Sequence, residues 1–347
     1  MTVDLRAEQV APDAAPLPDA VPSEVAALLG AALPAVLADC RHAVGTIVGV
    51  ARAVGGNVSH TFHVHGEHTS VILKIRGDRF ARIPSLRTDP ALIADEHQAL
   101  RLYAGLLPEV FPTVLAFHDR AHAMILTDIF PDGRSFHQHL NTRPATAEEL
   151  CRLGVALRRV HDTTRTISTE IRSQGDEWFR EHTFDFCLRA TGHPVLDRAC
   201  QDMAARPAHL VHADLAPKNL SLASGRVAIC DLDNVHRSWL GYDLAYVLAH
   251  LLIHHLRWPH LLPTLTAALL TSYNHTGPST LHSAGDQTLL ATVTAGVVLY
   301  RLGAGIVPYP LTGPRSLADR YRLKVLRLLD TGTVTVTDLV HAAGIGA

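Results

Sequence analysis

The chain has 347 residues, of which 47 % are hydrophobic and 18 % charged, and its net charge is −2. It is longer than a usual single domain and apolar enough for a sizeable core, so two lobes are the default expectation. A nearly balanced charge supplies no electrostatic reason to expect nucleic acid or a membrane surface as partner. The five cysteines, at 40, 151, 187, 200 and 230, show neither C-x-x-C pairing nor His/Cys metal spacing, which predicts a reduced, cytoplasmic setting. MTVDLRAEQV has no basic stretch leading into an apolar run, so no secretory signal is expected from it.

Residues 1–21 are rich in Ala and Pro and read as a disordered tail. Ser23 then offers a cap for a helix to about Cys40, with a kink expected at Pro34. From 45 to 75 the pattern changes to three short strands, GTIVGVARAV, VSHTFHV and SVILKI, separated by turn residues. Asp89-Pro90 opens a helix running to about Leu106, with Asp as cap and Pro in the first turn. TVLAF and AMILT follow as two further strands, and DIFPDG reads as a linker. Beyond it the pattern is helical. Thr146 and Glu149 form a capping box for a helix with an apolar stripe of Leu150, Leu153, Leu157 and Val160. The most apolar window, TLLATVTAGVVLYRLGAGIV, is broken by Arg301 and reads as a buried helix rather than a membrane span.

The densest chemistry lies in residues 210–234, LVHADLAPKNLSLASGRVAICDLDN. Apolar triplets flank three carboxylates, two Asn and one Lys, giving strand, tight loop, strand, loop. His212-x-Asp214-x₄-Asn219, with Asp231 twelve residues further on, has the spacing of a kinase catalytic loop. Phosphoryl transfer needs a carboxylate to receive the proton of the attacking hydroxyl and hard oxygen ligands for Mg²⁺ between the phosphates. Asp214 suits the first need, and Asn219 and Asp231 the second. The chain holds 28 Arg against three Lys, at 74, 218 and 324. A Lys that persists against such a bias points to a role that Arg cannot fill.

VHADLAPKN, AICDLDN and GYDLAYVLAH together resemble the aminoglycoside-phosphotransferase-like kinases, the branch of the protein-kinase-like fold that includes choline, homoserine and fructosamine kinases. The resemblance covers roughly residues 45–300. It implies an α+β, bilobal protein-kinase-like fold with a small antiparallel β-sheet lobe and a larger, mainly helical lobe. The expected division is a β-rich nucleotide-binding lobe over 22–128 and a helical catalytic and substrate-binding lobe over 129–347. Asp214 is then the implied catalytic base, Asn219 and Asp231 the metal ligands, and His212 and Asp243 the braces of the catalytic loop. Asp233 matches an acidic position of the family without a fixed role. In the β-rich lobe, Val71-Ile72-Leu73-Lys74 matches the strand that places a Lys on the α/β-phosphates. Glu96 shares a helix face with Leu92, Leu100, Tyr103 and Leu107. A carboxylate inside an apolar stripe is costly unless a cation meets it, and Lys74 is the expected partner. Gly55 and Gly56, in VGGNV, occupy the place of the phosphate-covering turn although the sequence is not G-x-G-x-x-G. Asp128 and Phe130 fall where backbone groups are expected to pair with the nucleotide base.

Two departures shape the functional reading. Ala216 stands where the family often has His or Lys, so Lys218 is the expected substitute for that phosphate contact. Only eleven residues separate Asp231 from Tyr242, which leaves no room for a long phosphorylatable activation loop. The sequence therefore predicts an enzyme using ATP (or GTP) and Mg²⁺ to phosphorylate a hydroxyl of a small molecule, an antibiotic or a natural-product or metabolic intermediate. Kinase action on Ser/Thr of a precursor peptide is a second reading, suggested by Arg76, Arg79, Arg82 and Arg87. That run otherwise reads as a solvated loop. A nucleotide-binding docking module without turnover is a third reading, with Ala216 its support. The histidines at 60, 63, 65 and 68, and the pair at 250 and 254, lack a complete zinc ligand set.

Overall fold

The structure, a computed structural model, describes residues 21–53, 56–130, 133–275, 281, 283–303 and 314–344. The tail expected over residues 1–21 lies outside the described residues except for Val21. Two helices, α1 (Ser23–Leu29) and α2 (Leu33–Val44), lead into strands β1 (Ile47–Arg52), β2 (His60–Gly66) and β3 (Ser70–Ile75). Helix α3 (Ile93–Leu106) precedes β4 (Val114–His118) and β5 (Ala123–Thr127). The five strands form one antiparallel sheet in the order β1-β2-β3-β5-β4. Ser23 does not cap α1; Pro22 holds the N-cap position without a side-chain bond. The break in the helical run falls at the 3₁₀ turn Gly30–Ala32, not within a helix at Pro34. Pro34 instead occupies the first turn of α2, where its missing N–H removes no helix bond.

Strand alternation sorts the sheet between two cores. Phe62, Val64, Val71, Leu73, Ala123 and Ile125 pack with α1 and α2 on the outer face. Met124 and Leu126, one step out of phase, join the core shared with α3. Lys74 pairs in register with Met124, so the same alternation turns it inward. The run Ser23–Val44 is long and apolar enough to cross a membrane by composition, yet its stripe of Val25, Leu29, Val36, Leu37 and Cys40 lies against the sheet.

The remainder is mainly helical: α4 (Phe136–Leu140), α5 (Ala147–Thr164), α6 (Asp176–Cys187) and α7 (Pro194–Ala204). Two small ribbons follow, from β6 (His209–Val211) with β9 (His236–Ser238), and β7 (Leu220–Ser221) with β8 (Ala228–Ile229). Helices α8 (Gly241–His254), α9 (Leu262–His275), α10 (Ala284–Gly303), α11 (Arg315–Asp330) and α12 (Val336–Gly344) complete the fold. The Thr146–Glu149 capping box forms in both directions, and Glu149 also receives Arg143 at 2.6 Å. Every residue of α8 is buried. The described part of the apolar window around Arg301, residues 288–303, lies in α10, almost wholly inside the helical core.

Helix α5 meets α9 at Gly154. A Cβ there would stand 2.6 Å from the Leu269 carbonyl oxygen and 3.0 Å from the Tyr273 nitrogen, and would strike the Ser272 hydroxyl. These are mostly backbone atoms and cannot yield cheaply. Gly154→Ala gains about 1 kcal/mol of helix propensity, but overpacking of this kind costs about 1–3 kcal/mol. The expected result is a lower melting temperature, and a rise in that temperature would show that the two helices are not packed this closely.

Candidate active site

The site is assembled by loops that the two ribbons hold against the sheet lobe. Between β6 and β7, the chain turns through Ala213 at φ 63°, a left-handed conformation that a non-glycine residue adopts only under constraint. Asp243, at the start of α8, supplies that constraint: its carboxylate accepts from the backbone N–H of His212 at 2.8 Å and of Ala213 at 2.7 Å. Burial alone would raise Asp243, but hydrogen bonding to His161 and the His212 amide holds it below the usual carboxylate range. His212 Nε2 reaches the Cys230 carbonyl at 3.0 Å and so ties the loop to the segment that ends in Asp231. Asp231 itself has φ 69°.

Asp214 is held on both oxygens. Asn219 donates its amide N–H to Oδ2 at 3.0 Å and to the Asp214 carbonyl at 2.8 Å. Lys218 Nζ lies 3.1 Å from the same Oδ2. Tyr246 donates its hydroxyl to Oδ1 at 2.9 Å, and Arg301 reaches Oδ1 at 3.3 Å while also donating to the Tyr246 oxygen. With its nitrogen spent on Asp214, the Asn219 oxygen is the side-chain atom left to coordinate a cation.

Lys74 lies 2.6 Å from Glu96 and 2.7 Å from Asp231. Glu96 is only 1 % exposed and sits in the α3 stripe with Ile93, Ala99, Leu100 and Tyr103. Burial pushes the Glu96 carboxyl up, to about 7, against the pull of Lys74. Burial would lower Lys74, but Asp231 and Glu96 outweigh it and keep the ammonium well above its ordinary value. Asp231 shows the converse: burial would raise it, while Lys74 and Lys218 hold it far below the carboxylate range. Lys218 stands 3.4 Å from Asp231 as well as beside Asp214, and thus bridges the two carboxylates.

The other expected positions fall as follows. Gly55 lies outside the described residues; Gly56 lines the cleft. Asp128 and Phe130 line it too, but the Asp128 carboxylate accepts from Ser70 at 2.9 Å and from the Phe130 N–H at 3.3 Å, with His63 at 3.4 Å. Arg76 corrects the solvated-loop reading, for it is buried and pairs with Asp233 and Thr88. Arg79, Arg82 and Arg87 do remain exposed. Arg172, which no motif marks, donates to the Asp233 carbonyl at 2.6 Å and to the Val235 carbonyl, fixing the loop after Asp231. Tyr246 and Arg301 were equally unmarked as site residues, although Arg301 stands out as the charge within an apolar helix. Among the described residues, no three His, Cys, Asp or Glu form a group able to hold a metal ion alone.

All of this opens on one cleft of about 560 Å³ between sheet and helices. An antiparallel sheet whose inward Lys meets a helix Glu, set over a helical lobe carrying Asp, Asn and Asp on two short ribbons, defines a protein-kinase-like fold. The chain belongs to the phosphotransferase enzyme family, whose sequence model matches residues 50–281. It resembles in structure an amicoumacin kinase in complex with AMP-PNP and Ca²⁺ (TM-score 0.57, 15 % identity, covering 90 % of this chain and 96 % of that one). It is also similar to a choline/ethanolamine kinase family protein from Mesorhizobium loti (0.53, 18 %, 93 % and 99 %). A choline kinase from Streptococcus pneumoniae is a third such structure (0.51, 13 %, 85 % and 99 %). No curated protein sequence matches the chain.

Proposed function

We propose that this phosphotransferase moves the γ-phosphate of ATP to a hydroxyl of a small molecule, with Mg²⁺ in the cleft. The observation that carries the reading is the convergence of Lys74, Asp214, Asn219 and Asp231, with Lys218 bridging the two carboxylates. Asp214 receives the acceptor hydroxyl and its proton. Asn219 and Asp231 offer hard oxygens on one side of the cleft, and phosphate oxygens and water complete a magnesium shell that need not be all-protein. Bound there, Mg²⁺ offsets the negative charge between the phosphates. Lys74, fixed by Glu96, meets the phosphates directly, and Lys218 takes the contact that Ala216 cannot make. An ammonium already bridging Asp214 and Asp231 favours turnover over a docking module. The peptide reading weakens because Arg76 is committed to Asp233 and Arg79 donates within its own loop to the Pro84 carbonyl. All five cysteines are free thiols, which suits a cytoplasmic setting.

Lys74→Ala removes a phosphate contact and strands buried Glu96. An unpaired buried charge costs up to roughly 3 kcal/mol, less where the carboxyl takes up a proton. The expected result is a less stable chain whose melting temperature no longer rises with Mg·ATP, while the wild type gains several degrees. Absence of any Mg·nucleotide stabilisation in the wild type would sink the kinase reading.

A further inference from the structure

The cleft wall that carries Arg301 beside Asp214 is built from α6 and α10. Its described lining includes His182, Thr183, Phe186 and Cys187 of α6, and Tyr300 and Arg301 of α10. Phe186 and Tyr300 meet edge to face at 5.5 Å, and His182 stacks at 3.6 Å on Trp178, which is exposed. The wall is therefore aromatic.

Its charge is positive or neutral. Among the described residues lining the cleft, Glu96 and Asp231 are held by Lys74, Asp128 by Ser70 and His63, and Asp233 by Arg76. The acids of α6 are not among the lining residues: Asp176 binds the Arg237 amide, Glu177 is exposed beside Arg180, and Glu181 and Asp185 bind Arg189. Among the described lining residues, Asp214 is the carboxylate left to confront the acceptor, with Lys218 on one oxygen and Arg301 on the other.

A cationic acceptor would need carboxylates or open aromatic faces. The two rings nearest Asp214 are engaged from within. The Arg301 guanidinium lies 5.4 Å from the Tyr246 ring centre and 5.1 Å from that of Tyr300. An ammonium beside the acceptor hydroxyl would find those rings engaged and would meet two like charges at short range.

We propose that the acceptor is a hydroxy compound with a planar apolar body and no positive charge, and that Arg301 enforces this choice. The inference rests on Asp214 being the group that receives the hydroxyl. Uncharged and anionic acceptors are both admitted, and the anion gains from Arg301. Polycationic and quaternary-ammonium alcohols are turned away.

Three ligands of one shape separate the charge effect from the shape effect: 3-phenyllactate, 3-phenylpropane-1,2-diol and phenylalaninol. Their affinities are measured by calorimetry with and without Mg·AMP-PNP, beside Arg301→Gln and Phe186→Ala. The wild type should bind the lactate and the diol at least about tenfold more tightly than the amine. Arg301→Gln should bring the three within about threefold of one another. Phe186→Ala, at a partly exposed position, should weaken all three alike. Tightest binding of phenylalaninol, failure of all three to bind at millimolar concentration, or an unchanged order in Arg301→Gln would overturn the proposal. Should Arg301→Gln not fold, the wild-type order and the Phe186→Ala result decide it. The nucleotide arm is separate: lack of Mg·AMP-PNP binding with the acceptor order intact would remove the kinase reading and leave the charge selection standing.

Discussion

Asp214→Asn should lower phosphoryl transfer by about 10² to 10⁴ while leaving nucleotide affinity close to wild type, the usual worth of a positioned general base. The substitution keeps the shape and can keep the bond from Tyr246, but it removes the charge and the basicity. It also places an amide beside Asn219 and Lys218, which now donate to Oδ2 at 3.0 and 3.1 Å. With its oxygen at the Oδ2 position the new amide keeps both contacts but sets its NH2 against the Arg301 donor, and turned the other way it loses both, so a modest loss of stability accompanies the loss of rate. Asp231→Asn should behave otherwise. Its carboxylate takes Lys74 at 2.7 Å and Lys218 at 3.4 Å, and under the proposed reading it shares a cation with Asn219. Nucleotide binding and turnover should then fall together. The measurement is single-turnover transfer from labelled ATP to an acceptor of the class argued above, beside nucleotide titration of each variant. Unchanged transfer in Asp214→Asn would show that another group receives the proton. Selective loss of rate in Asp231→Asn, with full nucleotide affinity, would reassign the cation.

What was legible in the sequence followed from local spacing. Asp214, Asn219 and Asp231 lie within eighteen positions, so one strand–loop–strand unit implies their proximity before any tertiary contact is known. Lys74 and Glu96 were linked by a physical conflict, a carboxylate in an apolar helix stripe, which a nearby lysine resolves; they meet at 2.6 Å. Asp243 was marked only by the family resemblance of GYDLAYVLAH. The contacts that stayed hidden join distant segments. Arg301 lies 87 positions from Asp214, and Arg172 lies 61 from Asp233. Only the packing of α10 against α8, and of the segment before α6 against the loop after Asp231, brings them in. Arg301 did leave a trace as a lone charge in a buried helix, but periodicity says only that such a charge must have a partner. Arg76 misled for a related reason. It shares a run with three exposed arginines, yet it directly follows β3 and is buried against Asp233.

Acid should unfold this protein well above the pH at which ordinary carboxylates titrate. Burial pushes His236 to about 4, His254 to about 3 and His255 to about 4, and drives His250 well below the usual value. Secondary influences differ: the Asn234 carbonyl partly supports the charged form of His236, while His137 further disfavours that of His254. For His255 the geometry names the proton. Its Nε2 accepts from the Ala145 N–H at 3.0 Å, so Nδ1 carries the hydrogen and donates to the Leu251 carbonyl at 2.8 Å. Protonating Nε2 would break the first bond inside the core. The unfolded chain takes up these protons near pH 6.5, whereas the folded chain resists until about 3 to 4. The unfolded state therefore binds more protons throughout that window, and stability falls as the pH falls through it. Between pH 7 and 5 each of the three rings with a stated value costs about 2 kcal/mol. Glu96, raised to about 7 in the folded chain, takes up a proton there and returns about as much as one ring costs, leaving on the order of 4 kcal/mol before His250 is counted. Against a total of about 5–15 kcal/mol for a native protein, that is enough to bring unfolding into reach near pH 5. Depressed carboxylates such as Asp231 and Asp243 add their share only below about pH 4. Thermal melts from pH 7.5 to 4.5 should show a steep fall beginning near 6.5, with more than two protons taken up on unfolding at pH 5. His254→Phe, which keeps a ring in that cavity but cannot bind a proton, should flatten the slope by about one proton. A melting temperature that stays level from pH 7 to 5 would mean that these rings are not held buried and neutral, and that the packing around α8 differs from the one described.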